Sequence, residues 1–90
     1  MTRTIVSALA LLAAASAATA GSYAPGCTTA PRSAWLTIAD AEARAVSEGY
    51  AVSKSKVTGT CYEVYATRDA KRFELFYDPT SARLIASTVK

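Results

Sequence analysis

Apolar positions divide the chain into stretches of different rhythm. Over residues 5–18 nearly every position is Ala, Leu, Val or Ile, with scattered Ser and no period. Residues 21–34 bring Gly21, Pro25, Gly26 and Pro31 among Ser and Thr without any apolar repeat, the composition of an extended leader. Over residues 37–48 the spacing turns helical. Ile38, Ala41, Ala45 and Val46 share a face, and Asp40, Arg44, Ser47 and Glu48 fall largely elsewhere. Thr37 followed three places later by Asp40 predicts an acidic variant of the capping box, and Gly49 predicts a left-handed stop.

Beyond Gly49 the period drops to two, which predicts strands at residues 50–57, 61–67, 72–78 and 83–89. The middle pair fixes its own register. With Asp69 and Ala70 as the turn, Ala66 opposes Phe73, Val64 opposes Leu75 and Tyr62 opposes Tyr77, so one face receives the whole apolar set. A slip of one residue would turn one strand's set to water. The expected fold is α+β, one N-terminal helix packed on a four-stranded antiparallel sheet.

Composition changes the picture at the N-terminus. Arg3, the apolar run and the small residues Ala18, Thr19 and Ala20 form the pattern of a secretory signal cleaved after Ala20. The alternative, a retained anchor, is disfavoured because the run is Ala-rich and shorter than the ~20 residues of a span. The expected organisation is a signal peptide at 1–20, a leader at 21–34 and a folded domain at 35–90. The expected location is periplasmic or secreted in a bacterium, with no stable membrane anchor after cleavage. A chain shortened by the signal keeps nine basic and seven acidic residues, a net charge of +2. The basic residues are spread along it, which argues against a nucleic-acid partner.

Two cysteines and no histidine complete the inventory. A domain this small gains from a covalent constraint, and export implies an oxidising compartment, so a Cys27 to Cys61 disulfide is expected. Without Cys-x-x-Cys spacing or His, nothing points to a redox pair, a metal or another cofactor.

In order, the helix followed by Gly49-Tyr50-Ala51-Val52, then Cys61-Tyr62-Glu63-Val64 in a strand, then Asp78-Pro79-Thr80-Ser81 before a last apolar strand, resembles the PepSY domains over roughly residues 35–86. Family members often carry Gly in the central hairpin and after the Asp-Pro turn, where this chain has Ala70 and Ala82. Either those turns take other geometries or they accept strain of ~1 kcal/mol. The resemblance implies a non-catalytic module of the kind found in propeptides of secreted metallopeptidases. It implies a protein partner, an envelope or secreted peptidase, by analogy of fold. The alternative is a structural or assembly factor of the envelope with no peptidase partner.

Candidate chemistry is sparse. Lacking His, the chain holds no Ser-His or Cys-His pair, and Ser53, Lys54, Ser55 and Lys56 alternate as on a solvated edge strand. No catalytic residue is expected. Glu63 and Glu74 share the face away from the helix, each opposite an aromatic, and read as solvated acids. On that face Tyr65 and Phe76, beside Glu63, Glu74 and Arg72, form a candidate partner-binding patch. The competing expectation is that residues 21–36, with Tyr23 and Trp35, fold back over this face, drawn there by Cys27.

Overall fold

The computed structural model describes residues 25–90. The signal expected at 1–20, and Tyr23 with the start of the leader, lie outside the described residues. A short 3-10 turn, Arg32–Ala34, precedes helix α1 (Ile38–Ser47). Strands β1 (Ala51–Thr58), β2 (Cys61–Arg68), β3 (Lys71–Asp78) and β4 (Arg83–Val89) follow. The strands form one antiparallel meander in the order β1-β2-β3-β4.

The expected cap and stop of α1 are both present. Thr37 Oγ1 accepts from Asp40 N at 3.3 Å, and the Thr37 backbone N–H donates to Asp40 Oδ2 at 3.0 Å. At the other end Gly49 takes φ +94°, Gly49 N donates to Val46 O and Tyr50 N to Ala45 O. That pair of bonds is the Schellman arrangement, and it turns the chain directly into β1. Arg68 closes the same end by donating to Glu48 O at 3.0 Å, with its guanidinium 4.1 Å from the Tyr50 ring centre.

The helix packs against β1 and β2 through Ala41 and Ala45, both buried, whose small side chains let the backbone sit close to the sheet. Val46, expected on the same face, is 59% exposed. One residue past Ala45 is a rotation of about 100°, enough to carry it off a face whose centre is Ala41 and Ala45. The core is completed by Tyr50, Tyr62, Val64, Ala66, Leu75 and Tyr77, with Trp35, Ile38, Val52, Phe73 and Leu84 around them. Two of its buried tyrosines reach across the fold: Tyr62 Oη donates to Leu36 O at 2.6 Å, and Tyr77 Oη donates to Glu48 Oε1 at 3.0 Å. Burial, then that bond to a carboxylate, pushes the Tyr77 phenol well above the ordinary tyrosine range.

The β2–β3 register is the expected one, with Ala66 opposite Phe73, Val64 opposite Leu75 and Tyr62 opposite Tyr77. Its turn residues Asp69 and Ala70 have φ +53° and +63°, the two positive angles of a type I′ hairpin. Ala82 has φ +60°. Both alanines thus accept the left-handed region, and no other turn geometry replaces it.

Candidate functional site

The face of the sheet away from α1 is built by alternation. It takes Lys54, Lys56 and Thr58 from β1, Cys61, Glu63, Tyr65 and Thr67 from β2, Arg72, Glu74 and Phe76 from β3, and Ala86 and Thr88 from β4. It has two halves of different character.

One half is closed. Cys27 and Cys61 form the expected disulfide across 34 residues of sequence. Cys27 N donates to Thr60 Oγ1 at 2.9 Å, and the Pro25 carbonyl oxygen lies 2.9 Å from Cys61 Sγ, so the described part of the leader, from Pro25, is held at this end of the sheet. Phe76 and Cys61 are fully buried and Glu63 is 4% exposed. The Glu63 carboxylate is not solvated: Thr58 Oγ1 donates to Oε1 at 2.7 Å. These burials correct the expectation of a patch including Phe76 and Glu63, which lie beneath the surface. The cover, however, does not include Trp35. Its ring meets Tyr62 edge-on at 5.5 Å on the core side, with the Nε1–H donating to Ala30 O.

The other half is open and basic. Tyr65 is half-buried, and three ammonium groups surround its ring, Lys54 Nζ at 4.8 Å, Lys56 Nζ at 5.8 Å and Lys90 Nζ at 5.9 Å from the centre. Cations gather there because the face of the ring is negative. Lys90 also reaches Glu74 Oε2 at 2.9 Å, and that carboxylate holds the ammonium above the usual lysine range. The backbone N–H of Lys90 donates to Arg72 O, which closes the end of β4 onto β3. A shallow cleft of about 240 Å³ opens here between Ser53, Lys54, Tyr65, Thr67, Arg72 and Lys90.

Tyr65, Glu74 and Arg72 are therefore brought together, and Phe76 and Glu63 are separated from them by depth. Lys54, Lys56 and Lys90 belong to the open half and were missed as site residues. A signal for the first two was present. Gly59 and Thr60 make a two-residue turn, with Gly59 at φ +59°, and counting back from it sets Lys56 opposite Glu63 and Lys54 opposite Tyr65. Lys90 had no such signal, because the β3–β4 register shifts between Phe76 and Tyr77.

Chemically, the face offers fixed positive charge and an aromatic surface. Among the described residues no group of three or more His, Cys, Asp or Glu stands close enough to hold a metal ion, and none of the helices is long and apolar enough to cross a membrane. Both acids have partners of their own, Thr58 for Glu63 and Lys90 for Glu74, and do not form an acid pair.

A capped helix over one face of a four-stranded meander, with a basic aromatic surface on the other, defines a small α+β module compatible with a non-catalytic role. The family model described as "Peptidase propeptide and YPEB domain" matches residues 4–88, and the chain belongs to that family, PepSY. Comparison with curated proteins and with solved structures gives no match.

Proposed function

We propose that this protein is an exported binding module that restrains a secreted or envelope peptidase through the open half of its outward sheet face. The observation that carries this reading is the Tyr65 surface, an accessible aromatic set among Lys54, Lys56 and Lys90 beside Arg72 on a rigid sheet. Interface centres favour aromatic residues and Arg, and a sheet holds them in place at little entropic cost. Membership in a family of peptidase propeptides supplies the class of partner. Glu74 and Arg72 belong to the contact surface, whereas Phe76 and Glu63 support it from below.

The test is a titration of the full chain into assays of secreted metallopeptidases. The reading expects a saturable loss of hydrolysis. A structural or assembly role in the envelope expects a flat response at every concentration.

A further inference from the structure

Among the described residues the first strand of the sheet is bonded on one side only. β1 pairs with β2, and among the described residues nothing pairs with its other edge. Such an edge is a template for one more strand. Its outward side chains toward the open half are Lys54 and Lys56, about 7 Å apart as alternate residues of a strand are. Among the described residues neither has a carboxylate partner, since the ion pair formed is Lys90 with Glu74. That pair shows what this surface accepts, a carboxylate against a lysine beside Tyr65.

The charge pattern selects the occupant. A second copy of this chain adding its own β1 would set lysines among lysines, which is destabilising. A strand with acidic residues at alternate positions meets both ammonium groups at their own spacing while its backbone bonds to the free edge. Ser53, at the irregularity between Val52 and Lys54, ends this stretch: its hydroxyl turns inward and donates to Tyr65 O at 3.0 Å.

Resting on the binding-module reading, we infer that the β1 edge takes up an extended acidic segment of the partner protein. The segment pairs with the β1 backbone, and its carboxylates alternate onto Lys54 and Lys56 beside Tyr65.

The experiment is an NMR titration of the isotope-labelled full chain with a short peptide alternating Glu and Ser. Its Gln-Ser counterpart and phosphatidylglycerol vesicles serve as separate arms. The Glu-Ser peptide is expected to shift the β1 amides and the Tyr65 ring, to weaken as salt rises, and to bind on the order of tenfold more tightly than the Gln-Ser peptide. The double variant Lys54→Gln with Lys56→Gln is expected to lose about that factor with its unfolding midpoint unchanged. Equal binding of the two peptides, shifts confined to other strands, binding to vesicles alone, or no response overturns the inference. If the peptide fails while peptidase inhibition holds, the acidic strand is wrong and the binding module stands. If the peptide binds while no peptidase is inhibited, the edge site stands and the peptidase partner is wrong.

Discussion

Ala70 and Ala82 hold φ angles of +63° and +60°, where a Cβ is crowded and Gly is not. Ala70 is exposed, so Ala70→Gly relieves that crowding without opening a cavity and is expected to stabilise the domain by about 0.5 to 1 kcal/mol in urea unfolding. An unchanged or lower midpoint would show that the hairpin carries no strain. Ala82 is buried, and the loss of its methyl packing would offset part of the same gain. Phe76 poses the opposite case. Fully buried beside the disulfide end, it is expected to cost about 3 to 5 kcal/mol on truncation to Ala, a change read by unfolding and not by partner binding alone. Tyr77 sets an alkaline limit. Its phenol pKa is raised in the folded state, so its contribution is complete below the ordinary value near 10.0 and is lost as pH rises through the folded one. Tyr77→Phe is expected to flatten the alkaline slope of stability, measured as unfolding midpoint against pH.

At the level of elements, the central hairpin could be read because alternation on two strands and a two-residue turn each demanded the same register. The capping box and Gly49 likewise act through neighbours in sequence. What escaped was set by distant contacts. Val46 faces water because the helix rolls onto its two alanines. Phe76 alternates outward as expected; alternation alone does not say whether another segment lies over that face, and its burial follows the competing expectation of a segment drawn there by Cys27. Here the covering end is fixed by Cys27 with Cys61 and by the bond from Cys27 N to Thr60, both across more than thirty residues. The open half went unread because Lys54, Lys56 and Lys90 looked like ordinary edge and terminal charges until the strands aligned them around one ring. The bridge closes a loop of 34 residues, so its reduction is expected to lower stability by roughly 3 to 4 kcal/mol, seen as a drop in Tm under reductant. A Tm that does not move would show that the disulfide is not what ties the leader to the sheet.

For the whole molecule, the two faces of one sheet do different work. The inner face and α1 build the core. On the outer face one end is sealed by the leader, and the other presents Tyr65 within a cluster of cations. On this face the open half and the adjoining β1 edge are the surface that the proposed restraint of a peptidase uses. That restraint is tested most directly by comparing inhibition of a secreted metallopeptidase by the unaltered full chain and by the variant Tyr65→Ala with Lys54→Gln. The unaltered chain should inhibit saturably and the variant, assayed where its unfolding curve shows it folded, roughly tenfold more weakly. Coincident curves, or no inhibition by either protein, would contradict it.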